Sequence, residues 1–316
     1  MTEQTRRHRG KSQASLDLIQ TAHDIAAELQ PITVRGICYR LFVRGLSPDM
    51  STKSTKKVSQ QLTDARKRNI CGWGDDWQWI VDETREAERT AQWRDPQSLI
   101  DSAVRHYRRD NWRDQPVDVE LWSEKGTVRG ICAPVLKEFG ITFRVMHGFS
   151  SFTAVKQVLA ERVDAKPLVA LYVGDHDPSG RCMSDSDLPA RLREYDLEDE
   201  SDIELIRIAL VEDDLRNPDG SDKVPGFPAG DKRKDSRYPW FVEHHGHRCW
   251  ELDAMDMNDL RSRITAEVKA RMNLAAWEHS LMIERAEVES MQVYPAAYRA
   301  VARHYRRHGR PGANRD

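Results

Sequence analysis

Long apolar runs are missing from this sequence. No stretch approaches the roughly 18 apolar residues that cross a bilayer. The opening MTEQTRRHRGKSQ holds no apolar segment of the kind an export signal needs. Paired cysteines are missing too. The five present (Cys38, Cys71, Cys132, Cys182, Cys249) are odd in number, scattered, and never spaced as C-x-x-C. That excludes a disulfide framework and predicts a reducing, cytoplasmic setting. Apolar residues are scarce, at 39% of 316, against 32% charged. Nine Trp, eight Tyr and seven Phe still suffice to anchor cores, so disorder throughout is excluded. Nor is there an excess of one charge: the formal net charge of -2 excludes a uniformly basic coat but not nucleic acid, which local charge decides. At roughly 150 residues per domain the length predicts about two domains.

What charge there is lies segregated. Residues 51–70 carry Lys53, Lys56, Lys57, Arg66, Lys67 and Arg68 against Asp64 alone, and residues 299–316 carry six arginines against Asp316. Residues 164–222 are the reverse, with DLEDESDIE and VEDD. One part suits phosphates and another suits cations.

Residues 1–13 read as a basic tail. Apolar residues at helical spacing predict a helix over 15–30, ended by Pro31. Thr33 is placed to cap a second, VRGICYRLFVRGL, and Ser54–Asn69 forms a third with Val58, Leu62 and Ala65 on one face and cations on the other. Gly72-Trp73-Gly74 and WQWIVD follow. Three helices and a small β wing over 14–84 predict a winged helix-turn-helix domain with the basic third helix reading DNA and Trp73, Trp77 and Trp79 in the wing core. Residues 85–115 read as a helical connector, in which AVRHYRRDN echoes AVARHYRRHG near the end of the chain. The period then changes. VDVELW, TFRVM, LVALYV and IELIRIAL are strand-like, and helical stretches separate them, which predicts an α/β domain with a parallel sheet over 116–304. A long Gly/Pro-rich loop follows Pro218, then helices from Asn258 to about Val301. Residues 305–316 form a second basic tail.

Glu124 follows the first predicted strand, and Asp175 and Asp177 follow the third in LVALYVGDHDPSG. An α/β sheet places its ligands just beyond the carboxyl ends of its strands. Three hard oxygen donors there suit Mg²⁺, with Mn²⁺ as an alternative. HHGHRC lacks the spacing of a structural zinc site, and RGKS lacks the upstream glycine of a P-loop. Lys232, Arg233, Lys234 and Arg237 suit phosphate contacts.

Glu after the first strand and DxD with Pro and Gly after the third resemble the Toprim domain of topoisomerases and primases. The resemblance widens in order along residues 31–265. TVRGICYRLFVRGL is similar to the tyrosine-bearing helix of the topoisomerase VI A subunit and its meiotic double-strand-break relatives, and KRKDSRYPWF and WELDAM are similar to later stretches of that group. It implies a winged helix followed by a Rossmann-like Toprim domain, with Tyr39 as nucleophile, Arg35 before it, and Glu124, Asp175 and Asp177 at the metal. It also implies attachment to a DNA 5′ end, a homodimer in which Tyr39 serves the acidic site of another subunit, and a separately encoded ATPase subunit for any strand passage. Two departures stand out: Cys38 replaces the usual second aromatic before Tyr39, and this chain holds no ATPase region.

A phenol with an ordinary pKa near 10 is a weak nucleophile at neutral pH and needs Arg35 or a metal beside it. Glu124 suits metal ligation or acid-base work, two roles that sequence does not separate. The expected protein is thus a nucleoid-associated, Mg²⁺-dependent transesterase acting on double-stranded DNA. Two rivals fit the same residues: a Toprim nuclease that uses metal-activated water, and a non-catalytic DNA-binding or partner-docking module of a mobile-element or defence system.

Overall fold

The computed structural model describes residues 11–80, 91–146, 152–162, 165–196 and 202–308. The chain forms two compact units, one from Met1–Glu86 with Val119–Val268, the other from Ala87–Asp118 with Lys269–Asp316.

In the first unit, helices α1 (Gln13–Leu29), α2 (Val34–Val43) and α3 (Thr52–Arg68) pack around one core. Ile19, Ala22, Ile25 and Leu29 recur at three- and four-residue spacing along α1. They meet Ile37 and Leu41 of α2 and Val58, Leu62 and Ala65 of α3. Thr33 caps α2 as the sequence predicts, its hydroxyl accepting from the Gly36 N–H at 3.0 Å. Asn69 ends α3 in the left-handed conformation (φ 50°).

The expected wing differs. Trp77–Trp79 is a single 3₁₀ turn, and Ile80 makes one parallel bridge to Ile32. Residues 81–84 of that expectation lie outside the described residues. Trp73 is fully buried, its indole N–H donating to the Ile19 carbonyl at 3.3 Å, and Trp79 packs partly against the same core. Trp77 is 59% exposed, so it is not a core residue.

After α4 (Pro96–His106) come β1 (Asp118–Ser123), α5 (Val128–Phe139), β2 (Thr142–Val145), α6 (Phe152–Arg162) and β3 (Leu168–Val173). Then follow α7 (Pro178–Cys182), α8 (Leu188–Tyr195) and β4 (Ile203–Ala209). The four strands form a parallel sheet in the order β2-β1-β3-β4, as the alternation predicts. The two central strands are buried along nearly their whole length, which explains their unbroken apolar runs. Glu120 is the exception on β1. Arg144 of β2 grips it with two 2.8 Å bonds and the Trp122 indole donates a third, so the buried carboxylate keeps its partners.

The long loop expected after Pro218 is partly ordered. Beyond α9 (Glu212–Leu215), β5 (Phe227–Pro228) pairs antiparallel with β6 (Arg248–Cys249), and α10 (Tyr238–His245) lies between them. Ala229, Phe241 and Cys249 form the small core that holds this excursion, which compositional reading cannot anticipate. Helix α11 (Met257–Ala270) follows.

The second unit holds α4, α12 (Leu274–Met291) and α13 (Val293–His308). The expected connector is helical only over α4 among its described residues. Residues 107–112 instead zip onto α12: Tyr107 and Arg109 both donate to Glu287 at 2.7 Å, and Ser280 donates to Asn111 at 2.6 Å. The first RHYRR stretch therefore runs off a helix end whereas the second lies inside α13, so the echo is no structural repeat. Among the described residues no helix is long and apolar enough to cross a membrane, and all five cysteines are free thiols.

Candidate functional site

Strand β1 stops at Ser123 and neighbouring β3 stops at Val173, so Glu124 and the Asp175–Asp177 segment emerge at the same end of the sheet. The chain then turns sharply into α7. Asp177 starts that helix, one carboxylate oxygen accepting from the Gly180 N–H and the Ser179 hydroxyl, each at 2.8 Å. The turn is so tight that a Cβ on Gly180 would lie 2.3 Å from the Asp175 carbonyl oxygen, so only glycine fits there. His176 bridges Trp250 through both backbone groups at 2.8 and 2.9 Å, and the Leu252 N–H donates to the Asp175 carboxylate at 2.8 Å. These bonds draw Glu251 and Asp253 to the same end.

The electrostatics of the cluster are those of crowded carboxylates. Burial pushes the Glu124 carboxyl up to about 7, with Asp175 and then Asp177 adding repulsion. Burial likewise pushes Asp253 up to about 6, helped by Asp175 and Glu251. Asp177 goes the other way: burial raises it, but the Gly180 N–H, Lys232 and the Ser179 hydroxyl outweigh that and hold it below the usual carboxylate range. Cations interleave with the acids. The Lys125 ammonium lies 2.5 Å from Asp175 and the Lys232 ammonium 3.1 Å from Asp177. Arg35 pairs with Glu251 and lies 3.8 Å from Asp253, which the Thr33 hydroxyl also reaches at 3.5 Å.

All donors here are hard oxygens, the donor type that a small dication prefers. In kind, then, Glu124, Asp175 and Asp177 fit Mg²⁺. In spacing, no three His, Cys, Asp or Glu side chains among the described residues are grouped to share one ion. Lys125 and Lys232 lie on the two aspartates instead.

Tyr39 and Arg35 stand one turn apart on α2, and both face this region of their own chain. Tyr39 is only 5% exposed, and its hydroxyl donates to the Pro225 carbonyl at 3.3 Å. Burial pushes the phenol up to about 12, Asp253 adding to the effect and Arg40 opposing it. Cys38 beside it is buried in the helical core, where an aromatic ring would need more room.

The other predicted cations are placed unevenly. Lys53, Lys56, Lys57, Lys67 and Arg68 are exposed along one face of α3, at three-, four- and seven-residue multiples. Arg68 also pairs with Asp64 at 2.7 Å, and Arg66 is half-buried to the side. Lys234 is exposed, while Arg237 makes a two-pronged contact with Asp235 at 2.5 and 2.6 Å.

Sequence reasoning left Lys125, Glu251, Asp253 and Arg207 without roles. The Glu-Lys pair after β1 and the alternating acids of WELDAM were the available signals. Arg207 carried none, being one cation inside a strand. No family model, no curated protein and no solved structure matches this chain.

Proposed function

We propose that this protein binds double-stranded DNA and cuts its phosphodiester backbone at the Glu124/Asp175/Asp177 end of the sheet with the help of Mg²⁺, for which Mn²⁺ can substitute. The observation that carries this reading is the emergence of the three carboxylates at the same end of the sheet, beyond adjacent strand ends, where Asp175 and Asp177 add to the burial that raises Glu124. Asp175 and Asp177 would hold the cation, and Lys125 and Lys232, which now pair with them, would then be free to contact phosphate oxygens. Bound there, the dication would supply charge neutralisation at the scissile phosphate and a lowered pKa for an attacking hydroxyl. Glu124, with a proton affinity near neutrality, suits proton transfer. The exposed basic face of α3 supports backbone contact with duplex DNA. On the resemblance to Toprim and topoisomerase VI A proteins, the working form is a homodimer, with strand passage requiring a separately encoded ATPase.

The resemblance makes Tyr39 the nucleophile. The phenolic oxygen would bond to phosphorus, the deoxyribose oxygen on the other side would leave with a proton, and the protein would end on the DNA. A second reading has metal-activated water attack instead. It is favoured by the burial of Tyr39 and by the bond of its hydroxyl to Pro225, which together make an unready nucleophile.

One experiment separates these. Supercoiled plasmid is incubated with the protein and Mg²⁺ or Mn²⁺, denatured, and examined for nicked or linear DNA and for protein on the ends. Cutting that is lost in Asp175→Asn supports the acidic site. Attached protein that disappears in Tyr39→Phe supports the tyrosine, and undiminished cutting by Tyr39→Phe supports water. No cutting by the wild-type chain with either metal leaves a DNA-binding or docking module.

A further inference from the structure

Strand β4 carries a cation that the proposed chemistry does not use. Arg207 stands beside Tyr172 of β3, with its guanidinium over that ring at 5.5 Å. All its donors are taken. Nε donates to the Leu210 carbonyl at 2.9 Å. Nη1 donates to the Gly180 carbonyl at 2.9 Å and the Ser184 hydroxyl at 2.8 Å. Nη2 donates to the carbonyls of Gly174 at 2.8 Å and Asp175 at 2.6 Å. Gly174 and Asp175 open the turn that bears both aspartates, and Gly180 closes it. One rigid fork therefore holds both ends of the turn to the end of β4.

We infer that Arg207 is the positioning residue of the acidic site, fixing the spacing of Asp175 and Asp177 through the backbone of the turn they share. Burial lowers its proton affinity to about 10, so it remains a full cation at neutral pH. Backbone dipoles and a hydroxyl surround it rather than a paired carboxylate, so it holds the turn without taking either aspartate side chain, which pair with Lys125 and Lys232 instead. Lysine cannot replace it, since one ammonium presents three donors from a single point and cannot span acceptors on both sides of the turn. Outer partners of this kind commonly change metal affinity by about 10- to 100-fold when altered. The inference rests on the reading that these aspartates hold a divalent cation.

Mn²⁺ binding to the full chain, followed by the electron paramagnetic resonance of the free ion and without DNA, tests it. Arg207→Lys is compared with Arg263→Lys. Arg263 is another arginine held by several bonds, whose fork grips Asp214 at 2.6 and 2.8 Å and the Ile208 carbonyl at 2.9 Å, away from the turn. Arg207→Lys is expected to weaken Mn²⁺ binding about 10-fold. Arg263→Lys is expected to lower the melting temperature while leaving binding within about twofold of wild type. Ser184→Ala, which removes one acceptor of Arg207 along with the hydroxyl's own bond to Asp185, guards against an Arg207→Lys chain that fails to fold, and should weaken binding by about threefold. Equal Mn²⁺ affinity in Arg207→Lys and wild type, or equal loss in Arg263→Lys, overturns the positioning role. A wild-type chain that binds no Mn²⁺ overturns the metal reading itself, and this inference with it.

Discussion

Replacing Glu124 by glutamine should stabilise the protein above neutral pH and leave it unchanged in acid. The carboxyl is held at about 7, against an ordinary 4.5, by burial and by Asp175 and Asp177. Below pH 4.5 it carries its proton whether the chain is folded or not, so it costs nothing. Between pH 4.5 and 7 the unfolded chain releases the proton and the folded chain keeps it, so stability falls as pH rises. Above 7 the loss is complete. At about 1.4 kcal/mol per pH unit the full loss is about 3 kcal/mol, and partial solvation of the site reduces it to ~1–3 kcal/mol. Glutamine has the shape of the protonated acid and never ionises. Thermal melts should therefore show Glu124→Gln above wild type by about 2–8 °C at pH 8, with the difference closing by pH 5. Mg²⁺ at pH 8 should raise the melting temperature of the wild type and not of the variant. A Glu124→Gln chain that is less stable than wild type by the same amount at both pH values would refute the reasoning.

Other expectations follow from single contacts. Gly180→Ala puts a Cβ against the Asp175 carbonyl oxygen in a turn that cannot open without breaking Arg207's bonds, so melts should show a loss of about 2 kcal/mol or more. Tyr39→Phe leaves a core of the same shape and removes one 3.3 Å hydrogen bond to Pro225, so unfolding should show a loss of no more than about 1 kcal/mol. A Lys56→Glu, Lys57→Glu double variant should bind duplex DNA more weakly and with a shallower dependence on salt, while melting like the wild type.

Local pattern carried much of the fold. The strands of the sheet and helix α5 were legible almost to the residue, because short strand-like runs alternate with stretches of helical spacing, β3 being apolar without a break. Thr33 was legible as a cap for the same local reason. The wing was not. WQWI has strand composition, but its Trp77 is exposed and Trp77–Trp79 forms a 3₁₀ turn, while Ile80 and Trp79 pack on the helical core. The excursion after Pro218 was hidden because its buried core is only three residues, Ala229, Phe241 and Cys249, which follow no helical or strand period. The places of Glu124, Asp175 and Asp177 just beyond the ends of β1 and β3 were legible from the strand pattern. Their partners were not: Lys232 looked like a phosphate contact because sequence does not show that Asp177 lies opposite it. The state of Tyr39 was equally hidden, since a motif gives a residue's type and not the depth at which tertiary packing buries it.

The most direct test of the account is Mn²⁺ binding by wild type and by Asp175→Asn at neutral pH, with the stoichiometry read by electron paramagnetic resonance. The account predicts saturable binding by the wild type, with at least one ion per chain, and a loss of about 10-fold or more in affinity in the variant. Binding of equal strength in both, or none in the wild type, would contradict it.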